Sequence, residues 1–137
     1  MKALYIAFYI HISHSVYHSI THSFLYRNQL VELPSAKRLS ITPELSRLSV
    51  NRNLILGIGS FSLEGYDNLT VLHLSGNHIR DIEVSAFFWT PHLRELDLSE
   101  NKIEALAFTL FNYLLELEKL DLRHNSIAVL LSGEFEV

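Results

Sequence analysis

The 137-residue chain contains no cysteine, so no disulfide can staple the fold it adopts. It is also poor in cations. Lys and Arg total 11 and are scattered, the net charge is −4 and the pI is near 6.0. This argues against a phosphate-binding groove and against a nucleic-acid partner. Long apolar runs are missing as well: the stretch Ala3 to Ile10 falls far short of the roughly 20 residues that a membrane-spanning helix needs. Any membrane attachment would reside in parts outside this chain. What the chain does have is 48% hydrophobic residues, enough to build one packed domain.

Those residues are strictly spaced. Asn53, Asn77, Asn101 and Asn125 stand 24 residues apart, each within the same apolar frame. The first clear copy has Leu45, Leu48, Val50, Asn53, Ile55 and Ile58, and the second has Leu69, Leu72, Leu74, Asn77, Ile79 and Ile82. The third has Leu93, Leu96, Leu98, Asn101, Ile103 and Leu106; the fourth has Leu117, Leu120, Leu122, Asn125, Ile127 and Leu130. The nineteenth place of successive copies holds Leu63, Phe87, Phe111 and Phe135. An earlier, degenerate copy runs through Ile20, Leu25, Asn28, Leu30, Leu33 and Leu39, with Ser23 where a leucine is expected.

Within LxxLxL the apolar residues alternate with polar ones, which is the period of a strand buried on one face. A strand so short cannot bury that face alone, so successive coils must stack and share one core. Each buried Leu or Ile then contributes about 1.5 to 3 kcal/mol. The repeated Asn lies where the chain turns inward, so its amide must be buried and hydrogen-bonded. These residues read as structural.

The spacing resembles the leucine-rich repeat family, LxxLxLxxNxLxxL, in its longer Phe-containing variety. The resemblance implies an α/β solenoid with short parallel strands on the concave face and irregular or short helical segments on the convex face. The expected organisation is a leader over 1–19, a degenerate repeat over 20–44, and clear repeats over 45–68, 69–92, 93–116 and an incomplete 117–137. It also implies that the asparagines form a ladder between coils.

Secreted members of this kind usually close their ends with disulfide-bonded caps, which a chain without cysteine does not carry. Two readings follow, a cytosolic scaffold or part of a longer secreted or cell-surface protein. The stop at Val137, two residues after Phe135, favours the second and leads us to expect self-association through uncapped ends. A product of a truncated gene is a further alternative. At the N-terminus, Lys2 and the following apolar run have the order of a signal peptide, but Tyr5, Phe8 and Tyr9 are bulky and no small-x-small cleavage site follows.

Three patterns bear on chemistry. His11, His14, His18 and His22 would share one face of a helix, a spacing that can ligate a transition metal. An equally regular apolar stripe of Ile12, Val16, Ile20 and Phe24 competes with that reading, and no acidic residue is near to orient the rings. We therefore expect neither a metal nor a cofactor. The fifth place of each copy stacks Ser49, His73, Asp97 and Asp121, all expected to face solvent, which raises a hydrolase alternative using Ser49, His73 and Asp97. An open sheet supplies no oxyanion hole, and Ser49 lies in no strained elbow, so we expect no catalysis.

The same face suits binding. Its third places are Arg47, Val71, Glu95 and Lys119, its seventh Asn51, Ser75, Ser99 and Arg123, and its eighth Arg52, Gly76, Glu100 and His124. Glu95, Asp97, Glu100 and Asp121 make an acidic centre, with His73, Lys119 and Arg123 beside it. A protein ligand or receptor subunit is the expected partner. Asp97 beside Asp121 is a like-charge contact that disfavours the sheet unless neighbouring cations relieve it. Finally, Asn68, Leu69 and Thr70 form an N-glycosylation motif, which makes Asn68 a candidate acceptor.

Overall fold

A computed structural model describes residues 22–24, 27–36 and 45–131, the strands at 22–24 and 129–131 by their backbone alone. The histidines at 11, 14 and 18, the leader and Phe135 lie outside the described residues, as does the side chain of His22.

Five three-residue strands form one parallel sheet: β1 (His22–Phe24), β2 (Arg47–Ser49), β4 (Val71–His73), β6 (Glu95–Asp97) and β8 (Lys119–Asp121), in that spatial order. Their register follows the 24-residue frame, with Leu48, Leu72, Leu96 and Leu120 directly abreast. Ser23 of β1 takes the same place beside Leu48. The other side of each coil carries two small parallel ladders, β3 (Gly57–Ile58) with β5 (Asp81–Ile82) and β7 (Ala105–Ala107) with β9 (Val129–Leu131). A 3-10 helix, Phe108–Tyr113, follows β7. The chain is thus an α/β leucine-rich repeat solenoid.

The core lies between the two faces and is filled by the frame residues. Leu45, Leu48, Val50, Ile55, Ile58, Leu69, Leu72, Leu74, Ile79, Leu93, Leu96, Leu98 and Ile103 are all sealed from solvent. Two of the nineteenth-place residues, Leu63 and Phe87, are fully buried, whereas Phe111 is half-buried. The twenty-second place is buried too, as Tyr66, Thr90 and Leu114. Thr90 satisfies its hydroxyl by donating to the Phe87 carbonyl at 3.2 Å. Tyr66 donates to the Pro34 carbonyl at 2.6 Å, tying the segment before the first clear repeat to the core.

The expected burial weakens in the last described coil, where Leu117 and Leu122 are half-buried, and it fails at Leu120. Leu120 is 39% exposed, although Leu48, Leu72 and Leu96 are sealed. A strand residue here is covered by the coil on each side, and among the described residues no strand pairs with the far edge of β8.

The asparagines do form a ladder, and every rung reaches the preceding coil. Asn77 accepts from the Ile55 amide at 3.2 Å while its Nδ2 donates to the carbonyls of Val50 and Leu74. Asn101 accepts from Ile79 N at 3.0 Å and donates to Leu74, Leu98 and Ser99. Asn125 accepts from Ile103 N and donates to Leu98 and Leu122, while Asn53 accepts from Leu30 N. Buried amide groups that turn away from the strands are satisfied this way.

Just before each of these asparagines, and before Asn28, one residue is left-handed: Arg27, Arg52, Gly76, Glu100 and His124, with φ between 52° and 69°. That conformation aims the N–H along the solenoid axis. Arg27, Arg52, Gly76 and Glu100 each donate to the seventh-place carbonyl of the next coil, at 2.8 to 3.2 Å. Only Gly76 adopts this conformation without strain from a Cβ.

Candidate functional site

The concave face is the surface that the repeats bring into register, and its side chains are positioned by three-residue strands with little freedom. Ser49, His73, Asp97 and Asp121 lie directly abreast. Ser49 does not face solvent as expected but is buried, as is Val71 beside Arg47 and Glu95.

The line of Ser49, His73 and Asp97 does not become a hydrogen-bonded relay. His73 Nε2 lies 3.1 Å from Glu95 Oε1. Asp97 Oδ1 instead accepts from the Ser99 amide at 2.9 Å and from Ser99 Oγ at 2.6 Å. A triad needs a base oriented by its carboxylate and bonded to its nucleophile. Among the described residues neither bond is formed.

The charges of the acidic centre divide into two groups. Glu95 sits between His73 and Lys119, whose Nζ is 3.4 Å from Oε2. Its carboxyl is held below the ordinary carboxylate range, first by the His73 contact and then, against some desolvation, by Lys119. Asp121 is gripped by Arg123, whose Nε reaches both oxygens and whose terminal nitrogen donates at 2.6 Å. These bonds, together with the Arg123 amide, bring Asp121 down to about 2. Arg123 is itself raised by Asp121 and, more weakly, by Asp97. The like-charge contact between Asp97 and Asp121 is therefore relieved inside the fold. Asp97 and Glu100 are the two carboxylates of the four with no ion pair among the described residues.

The His73 contact yields a direct check. Replacing His73 with Phe should move the titration of Glu95 upward towards the ordinary range, as followed by carbon-detected NMR. An unchanged midpoint would mean that Lys119 alone governs it.

Other contacts carried no sequence signal. Ser75 and Ser99 hydroxyls meet at 2.9 Å, and Asn51 Oδ1 accepts from Ser75 N at 2.8 Å. On the convex side Trp89 donates to the Ser60 carbonyl at 2.9 Å and meets Phe88 edge-on at 5.3 Å. Glu83 accepts from the Ser60 amide and hydroxyl, which lowers its carboxyl. Asn68 is exposed in the turn before β4. Among the described residues no helix is long and apolar enough to cross a membrane.

No curated protein matches the chain. Among solved structures, the crystal structure of a TLR13–ssRNA13 complex is similar, with a TM-score of 0.74 and 28% identity over 83% of this chain. The chain spans 16% of that protein's length. The leucine rich repeat family itself matches residues 43–103 and 91–136, so that its frame runs from the strand of the first clear coil through the last described one. With that frame forming an in-register sheet and an asparagine ladder, the chain belongs to the leucine-rich repeat family.

Proposed function

We propose that this chain is a protein-binding module of a secreted or cell-surface receptor-type protein, and that it engages a protein ligand or receptor subunit through the concave sheet around Asp97 and Glu100. The observation that carries this reading is the charge balance of the sheet. Glu95 and Asp121 are ion-paired within the fold, whereas Asp97 and Glu100 form no ion pair among the described residues. A partner presenting Arg or Lys would complete them with charge-assisted hydrogen bonds. Rigid scaffolds with exposed variable positions commonly work this way.

The similarity to a toll-like receptor supports the receptor setting over the cytosolic scaffold. That structure is a complex with a single-stranded RNA, but the carboxylates of this concave face and the net charge of −4 repel phosphate, which favours a protein partner here. Repeats of this family are typically non-enzymatic, and the contacts of His73 and Asp97 support a binding role over a hydrolytic one.

The test is the double change Asp97→Asn with Glu100→Gln. The amide oxygen introduced by Asp97→Asn can still accept from Ser99, so the free protein should keep its stability. Binding to a partner recovered by pull-down should weaken at least tenfold, and wild-type association should slow as salt rises. Unchanged binding would move the site to the loops or the convex side. Tight binding of single-stranded RNA that survives 0.15 M salt would replace the protein reading with a nucleic-acid one.

A further inference from the structure

Asn68, Leu69 and Thr70 form the single N-x-S/T motif of the chain, and the binding reading makes no use of it. The three residues are placed very differently. Asn68 is exposed, Leu69 is fully buried, and the Thr70 hydroxyl donates to the Ser46 carbonyl of the preceding coil at 3.0 Å. Thr70 also accepts from the amides of Arg94 and Glu95 through its own carbonyl, so the backbone here is clamped on both sides. Asn68 is thus exposed in a turn whose neighbouring backbone is held by these bonds, and it is not itself a core residue.

Its place in the repeat fixes which surface such a group would occupy. Asn68 holds the twenty-fourth position of its coil, and the same position is His92 in the next coil and Glu116 in the one after. His92 and Glu116 are joined at 2.8 Å, with Arg94 also on Glu116 at 3.1 Å. This flank is the edge from which the concave strands start. Asp97 and Glu100 stand at the opposite edge, where the strands end and the left-handed residues begin.

We propose that Asn68 is an N-glycan acceptor and that its glycan stands on the strand-entry flank, beside His92 and clear of Asp97 and Glu100. In the transfer, the Asn68 amide nitrogen attacks C1 of an oligosaccharide linked to a lipid diphosphate. The C1–N bond forms, the C1–O bond to the diphosphate breaks, an amide proton is lost to base, and the lipid diphosphate leaves. The inference rests on the secretory reading above, so the two are separated in the test.

The full chain is translated with microsomes, once from its own N-terminus and once behind an appended signal peptide. The acceptor is judged on the second form. A single mobility step that endoglycosidase removes, that Asn68→Gln and Thr70→Ala abolish and that Thr70→Ser retains is the expected result. No step, or one that survives Asn68→Gln, overturns the proposal. Failure of the first form alone to enter microsomes counts against the secretory reading and leaves the acceptor result standing. Placement is read by diethyl pyrocarbonate labelling of the purified folded chain. The glycosylated form should show His92 labelled at least twofold less than Asn68→Gln, with His73 and His124 equal in both. Protection at His73 or His124 instead would place the glycan over the binding face and overturn the second half.

Discussion

Phe87→Ala should destabilise the solenoid by about 3 to 5 kcal/mol, the range for deleting a sealed aromatic side chain. Phe87 is fully buried on the convex side of the core, and its loss opens a cavity that neighbouring coils cannot collapse into. They are held at fixed spacing by the strands on one side and by the β3–β5 ladder on the other. Gly57 shows how tight that ladder is: a Cβ there would stand 3.0 Å from the Asp81 carbonyl oxygen. Phe111→Ala, at the same place one coil later, should lose less because Phe111 is already half-buried. Urea denaturation of the two variants against wild type gives the comparison, with unchanged m-values expected for simple cavity formation. A loss under about 1 kcal/mol at Phe87, well short of that range, would mean that the convex side is loosely packed and that the strands alone hold the coils.

The frame was legible because burial in a solenoid recurs at fixed places, so the buried leucines at frame places from Leu45 to Leu98 could be assigned from their spacing alone. Leu120 shows where that reasoning ends. Its burial depends on the coil stacked against it, a property of the neighbour and not of the repeat. The left-handed position was hidden for another reason: Gly76 is the one residue there whose type advertises the conformation, while Arg27, Arg52 and Glu100 accept the strain to donate along the axis. At the concave face, position predicted proximity but not pairing. The Glu95 contact with Lys119 was readable as two opposite charges in register. The diagonal contact of Glu95 with His73 and the turn of Asp97 to Ser99 depend on rotamers that spacing does not specify. Of the four carboxylates in the expected acidic centre, Glu95 and Asp121 are ion-paired and Asp97 and Glu100 are not, among the described residues.

Asn101→Ala should lower stability by about 2 to 3 kcal/mol, chiefly through one orphaned amide. The three carbonyls it serves each keep a second donor: Leu74 from Asn77, Leu98 from Asn125, and Ser99 from the Gly76 amide. The Ile79 amide has no such reserve, because its partner is the Asn101 oxygen, and it lies beneath a fully buried side chain. Asn125→Ala orphans the Ile103 amide in the same way and also strips the Leu122 carbonyl of its asparagine donor. Since every rung reaches backward, an asparagine at the last described coil keeps its full set of bonds, and missing neighbours do not weaken it. Its loss should still be the smaller, because Asn125 and Leu122 are half-exposed and water can replace what the amide gave. Chemical denaturation of both variants at one pH decides the order. Equal and negligible losses would show that water already serves these backbone groups, and the asparagine ladder would then be a consequence of the stacking and not a cause of it.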